Sequence, residues 1–186
     1  KQDKGDRFST HPTPSPSCDP GPTMRLLPLL LAATMIAAPV TLHGQTLQDG
    51  NDAYESGDYE AAAEILFPLA EEGDSSAQYT LGLMHKNGEG VLQDYTEAAK
   101  WYQLAAEQGN AAAQFNLGLT YYNGDGVAQN FTIAYILFNL AAAQGNEHAR
   151  GNRDIAAKKL TYDQINEAQR LSSEWKVGEP LPLQGD

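Results

Sequence analysis

Apolar and small side chains fall in a pattern that recurs every 36 residues through the middle of the chain. In residues 74–109, Ala77, Leu81 and Met84 are spaced by four and then three, which puts them on one face of a helix. That stripe ends at Asn87-Gly88. A second stripe follows at Tyr95, Ala98, Trp101, Tyr102 and Ala105, and Gln108-Gly109 supplies the glycine expected just past a helix end. Residues 110–145 repeat the scheme: adding 36 carries Ala77, Leu81, Gly82, Gly88, Gly90, Val91, Ala98 and Gly109 onto Ala113, Leu117, Gly118, Gly124, Gly126, Val127, Ala134 and Gly145. Each copy predicts an antiparallel helix pair. Self-similarity at this period predicts stacked units that cannot bury their apolar faces alone.

Glycine in a helix interior costs about 1 kcal/mol relative to alanine, so Gly82 and Gly118 at one helical position imply close approach by a neighbouring helix. Ala98, Ala105 and Ala106, repeated at 134, 141 and 142, fit the same picture. Small residues bring two backbones together while Leu81, Trp101 and Leu104 fill the gaps.

The residues at 77–109 read A-x-x-x-LG, then NG-x-GV, then D-Y-x-x-A-x-x-WY-x-x-AA-x-QG. This pattern resembles the Sel-one-like repeat (SLR), a branch of the tetratricopeptide-repeat superfamily. The likeness covers residues 74–145 and extends more loosely over 46–73. His85 against Tyr121, and Trp101-Tyr102 against Leu137-Phe138, differ between the copies but preserve bulk. The resemblance implies an all-α fold, an α-α superhelix or solenoid of stacked antiparallel helix pairs.

The flanks complete that array. Residues 45–73 read as a shortened first pair, a helix around Leu47 to Glu55 and another from Asp58 to about Ala70, with Asp58 as N-cap. Pro68 should kink or loosen the end of the second. Beyond 145, Arg153 and Asp154 stand where the grid has Leu-Gly, so propagation stops. Thr161 and Gln164 form a capping box that opens a helix through Ile165, Ala168, Leu171 and Trp175. Residues 146–178 thus predict a helical C-terminal cap, polar on its outer face. Gly178, Pro180 and Pro182 leave a short tail over 179–186. Upstream, residues 1–23 are rich in Pro, Ser and Thr and predict disorder. Met24-Arg25, an apolar run from Leu26 to Ala38 and a small-residue exit toward Gly44-Gln45 predict a secretory signal peptide at 24–44. The run is too short for a stable membrane span, and the expected address is periplasmic or secreted.

Charge narrows the partners. The chain carries −12 formally, and residues 1–44 hold four basic and three acidic side chains, so the remainder is slightly more acidic. That sign disfavours nucleic acid and anionic lipid. Arg150, Arg153, Lys158 and Lys159 cluster near the cap, where they can offset helix C-termini and acidic surroundings. The sole cysteine, Cys18, lies upstream of the expected leader, so no disulfide is predicted.

Catalytic patterns are lacking. His85 and His148, the histidines after the leader, have no metal-ligand spacing. Gly88-Glu89-Gly90 has no Gly-Lys-Ser/Thr sequel. Asn123-Gly124-Asp125-Gly126 would put Tyr121 and Thr132 at the first and twelfth places of a calcium loop, where acids are needed. No cofactor or metal is expected, and no enzymatic role. In arrays of the resembled family the first helix of each pair lines a concave groove. That implies a surface for a protein or peptide partner made of Asn51 and Tyr54, then Tyr79, Leu83 and Lys86, then Phe115, Leu119 and Tyr122, with Ile155 and Lys158 continuing the rows. Tyr and Phe suit interaction hot spots. Leu83 and Leu119 read equally well as core between repeats. Two other readings stay open: β-lactam binding or hydrolysis, described for disulfide-rich relatives, against which the missing Ser-x-x-Lys motif weighs, and a structural part whose groove takes a second copy.

Overall fold

Every helix opens on a side chain that satisfies an amide the helix itself leaves unpaired. Thr46, Asp58, Asp74, Asp94, Asn110, Asn130, Asn146 and Thr161 each accept from a backbone N–H two or three residues on. A computed structural model describes residues 46–183, and among them these caps start eight helices. They are α1 (Leu47–Ser56), α2 (Tyr59–Glu71), α3 (Ser75–Asn87), α4 (Tyr95–Glu107), α5 (Ala111–Asn123), α6 (Phe131–Ala143), α7 (Glu147–Ala157) and α8 (Tyr162–Glu174). The expected disordered segment and signal peptide lie outside the described residues.

The architecture is all-α, helices stacked in adjacent pairs. α1 packs on α2, α3 on α4 and α5 on α6, while α2–α3 and α4–α5 contacts join successive pairs. The expected close approach at Gly82 is made by a side chain on the partner helix. A methyl group placed on Gly82 would sit 2.5 Å from Cδ1 and Cε1 of Tyr102, and one on Gly118 would sit 2.6 Å from Cε1 of Phe138. Gly50 faces Leu66 in the same way. Each first helix therefore gives up a side chain where the second helix inserts a large one, and the inserted Leu66, Tyr102 and Phe138 are all fully buried.

Neighbouring pairs are also tied by polar contacts that repeat. Buried Gln78 donates from Nε2 to the Ala70 carbonyl (3.0 Å), and buried Gln114 to the Ala106 carbonyl (3.2 Å). Their Oε1 atoms accept from Gln108 and Gln144, each at 2.8 Å. Loop glycines contribute too. Gly90, at φ 67°, lies against the backbone of Tyr59, and Gly126, at φ 71°, against that of Tyr95. A side chain there would meet both a left-handed backbone and a neighbouring helix start.

Pro68 sits inside α2, which continues through it to Glu71, and the Glu72 amide donates to the Pro68 carbonyl at 3.0 Å. The lost donor falls near the helix end, where few bonds remain to be broken.

The C-terminal end differs from the regular pairs. α6 is the most enclosed element, with nine of its 13 residues buried, because α5, α7 and α8 all pack on it. α8 docks on α6 rather than forming a regular pair with α7. Asn139 donates to Ser172 Oγ at 2.7 Å and Gln169 to the Tyr135 hydroxyl at 3.0 Å across that contact. The predicted capping box of Thr161 and Gln164 is present. The described part of the short tail, with the residues just before it, runs against α4. The Gly178 amide donates to the Glu107 carbonyl at 2.8 Å, one of the last-turn acceptors α4 leaves open, and Leu181 is buried in the main core. The prolines stop helix formation there, as expected, but leave Leu181 free to seek apolar cover.

Candidate partner-binding surface

The residues that the core leaves over on the first helices form rows of half-buried aromatic and aliphatic side chains. On α3, Tyr79, Leu83 and Lys86 share a face at spacings of four and three, and Phe115, Leu119 and Tyr122 do so on α5. All six are partly exposed. Tyr79, Leu83, Phe115, Leu119 and Tyr122 also rest against the larger core cluster. Leu83 and Leu119 thus serve packing between repeats and keep some surface in the open.

The aromatic members are braced by second-helix partners that the sequence reading did not single out. Tyr79 lies beside Tyr102 with ring centroids 6.1 Å apart, and Phe115 beside Phe138 at 5.9 Å. Phe115 also approaches His148 at 6.3 Å, and Tyr122 meets Phe131 edge-on at 5.2 Å. The signal for the first two pairs was present in the 36-residue grid, since Tyr79 and Tyr102 become Phe115 and Phe138 together.

At the first pair, Tyr54 packs edge-on against Tyr59 at 5.4 Å, and its hydroxyl donates to Glu89 Oε2 at 2.8 Å. The Asn87 amide donates to the same oxygen at 3.1 Å. The Gly88-Glu89-Gly90 turn therefore links α1 to the α3–α4 connection. Asn51 is half-buried on α1, while Ile155 on α7 and Lys158 at its C-cap are exposed.

Electrostatics along the rows are dominated by phenols. Burial raises the pKa of Tyr54, and its bond to the Glu89 carboxylate raises it further. Burial also raises Tyr79, opposed by the side chain of Asn116 on α5. Tyr102 is shifted upward most, by burial first and then by Tyr79 and Tyr54. Its hydroxyl is buried with no hydrogen-bond partner among the described residues, as is Nδ1 of His85. In the basic cluster, Arg150 pairs with Glu147 at 2.9 Å and Arg153 with Asp154 at 3.0 Å, contacts across exposed surface that add little stability.

Among the described residues no group of three or more His, Cys, Asp or Glu is placed to hold a metal ion. No helix among them is long and apolar enough to cross a membrane.

The Sel1 repeat family matches residues 75–110 and 111–146, the two copies read from the 36-residue grid. None of the curated proteins compared with the chain matches it. Among solved structures, a protective antigen present in uropathogenic Escherichia coli strains, displaying an SLR fold, is 34% identical with a TM-score of 0.67, over 73% of this chain and 30% of that one. A Sel1 repeat protein from Oxalobacter formigenes is 30% identical with a TM-score of 0.59, over 69% of this chain and 55% of that one. The matched region is thus less than two thirds of either relative's length. Residues 75–146 are two Sel1 repeats, a helical array of a kind that typically serves as a protein-interaction module.

Proposed function

We propose that the chain binds a protein or peptide partner in the concave groove lined by its first helices, and that it does so outside the cytoplasm, in the periplasm or as a secreted protein. The observation that carries the groove is the pair of rows on α3 and α5. Tyr79, Leu83 and Lys86, and Phe115, Leu119 and Tyr122, remain partly exposed after the core is filled, on helices braced from behind by Tyr102 and Phe138. Rigid aromatic side chains lose little entropy when they anchor a partner. The short array favours a modest interface, one that another subunit can extend. Export rests on the apolar run after Met24-Arg25.

The role is adaptor-like binding rather than catalysis. Crosslinking pull-down from the exported fraction, comparing wild type with Tyr79→Ala/Tyr122→Ala, should lose the partner in the variant. Equal recovery would move the site off the groove. Mass spectrometry of the exported protein should find an N-terminus near Gln45, and one at Lys1 would overturn the export reading. Steady nitrocefin turnover would favour an enzyme.

A further inference from the structure

The two aromatic pairs beneath the first-helix rows do the same packing with different chemistry. Phe138 fills the space over Gly118 and stacks on Phe115 without a hydroxyl. Tyr102 fills the space over Gly82 and lies beside Tyr79, yet carries a hydroxyl that is fully buried and meets no donor or acceptor among the described residues. Buried polar groups are nearly always hydrogen-bonded, so each exception calls for a reason. Packing is not that reason, because Phe138 shows that the fold is served without the oxygen.

Resting on the groove reading above, we propose that the Tyr102 hydroxyl is a ligand donor. It takes the main-chain carbonyl of a bound peptide at the α3 end of the groove, while an apolar side chain of that peptide seats against Phe115, Leu119 and Tyr122. The occupant is thus a neutral peptide segment with a carbonyl to offer on one side and an aliphatic or aromatic residue on the other. An anionic oxygen is disfavoured, since the Glu89 carboxylate is already held at the edge of this tyrosine cluster by Tyr54 and Asn87. Entry requires neighbouring side chains to turn aside, because the Tyr102 hydroxyl has no exposure of its own in the free protein. The half-buried Tyr79 ring, its centroid 6.1 Å from that of Tyr102, is the aromatic of the rows beside it.

The probe is a set of linear peptides selected from a random display library on the wild-type protein, resynthesised with amidated C-termini. Tyr102→Phe should weaken them at least tenfold while melting at or above the wild-type temperature, as the precedent of Phe138 requires. Replacing peptide amides one at a time by esters, which weakens the carbonyl acceptor, should reveal one position that costs affinity with wild type and costs nothing with Tyr102→Phe. Equal affinity for both proteins, or dependence on a free carboxylate, would overturn the inference. So would a clear fall in melting temperature for Tyr102→Phe, which would mean that the hydroxyl is already satisfied in the free protein. If instead no selected peptide loses binding to Tyr79→Ala/Tyr122→Ala, it is the groove reading itself that fails.

Discussion

Alanine at Gly82 and alanine at Gly151 should move stability in opposite directions. Both glycines lie inside helices, so both replacements gain about 1 kcal/mol of helix propensity. They differ in what the new methyl group meets. At Gly151, on exposed α7, nothing lies within 4 Å, and the full gain should appear. At Gly82 the methyl would sit 2.5 Å from two ring carbons of Tyr102, a side chain with 0% exposure whose ring has nowhere to retreat. Overpacking of this kind costs about 1–3 kcal/mol. The ring is rigid and sealed, so the cost should fall in the upper part of that range and leave Gly82→Ala destabilised by about 1–2 kcal/mol.

For a chain of this size 1 kcal/mol moves the melting temperature by about 3 °C. Thermal unfolding followed by circular dichroism should therefore show Gly151→Ala about 3 °C above wild type and Gly82→Ala about 3–6 °C below it. Gly50→Ala is the internal gauge. Its methyl would sit 2.6 Å from Cδ2 and 2.8 Å from Cγ of Leu66, a buried side chain but a more flexible one than a tyrosine ring, so it should be destabilised less than Gly82→Ala. A Gly82→Ala protein that melts at or above wild type would refute the argument that the Tyr102 ring dictates glycine here. The bulkier Gly82→Leu should be worse than Gly82→Ala.

Gln114→Leu should cost about 1–3 kcal/mol in urea unfolding, because it removes a fully buried amide that donates to the Ala106 carbonyl and accepts from Gln144. Gln144→Leu, which leaves the buried Oε1 of Gln114 without its donor, should cost a comparable amount. Leu181→Ala should destabilise by about 2 kcal/mol by uncovering the core at the returning C-terminal segment, whereas a truly loose tail would show no change. Because burial raises the Tyr102 pKa, the folded protein keeps a proton that the unfolded chain loses above about pH 10. The stability linked to it is full below that pH and falls by about 1.4 kcal/mol per further unit. Tyr102→Phe should make the alkaline decline of the urea midpoint shallower, and an unchanged slope would contradict the burial.

Much of the fold was legible because helical period, caps and the 36-residue grid all point the same way. Asp58, Asp74 and Thr161 are short polar side chains just ahead of apolar stripes, and each caps as that pattern requires. Gly82 announced a close contact by its cost alone. What the sequence did not reveal was the other side of that contact. Tyr102 and Phe138 read as core positions, and only the geometry shows them bracing Tyr79 and Phe115. The glutamine links were invisible for a related reason: Gln78, Gln108, Gln114 and Gln144 are unremarkable polar residues until two helices bring their amides together. The Leu181 contact escaped because proline and glycine report where helices cannot form, and say nothing about where an extended segment will lie.

The end of the array follows from the same contacts that build it. Adding 36 to Gln114, Leu117 and Gly118 gives Arg150, Arg153 and Asp154, so α7 has lost the bridging amide, the core leucine and the glycine notch together. Without the notch a partner helix has no space to insert a large side chain into α7, and without the glutamine α7 lacks the tie that Gln114 makes back to the preceding helix. α8 therefore has nothing to gain from a regular pairing with α7. It turns to α6, whose outer side chains Tyr135 and Asn139 offer hydrogen bonds to Gln169 and Ser172. The chain then runs back to the end of α4. Ile155 on α7 and Lys158 at its C-cap stay exposed where no new pair opens, while the half-buried aromatic rows are those of α3 and α5, extended by Tyr54 on α1.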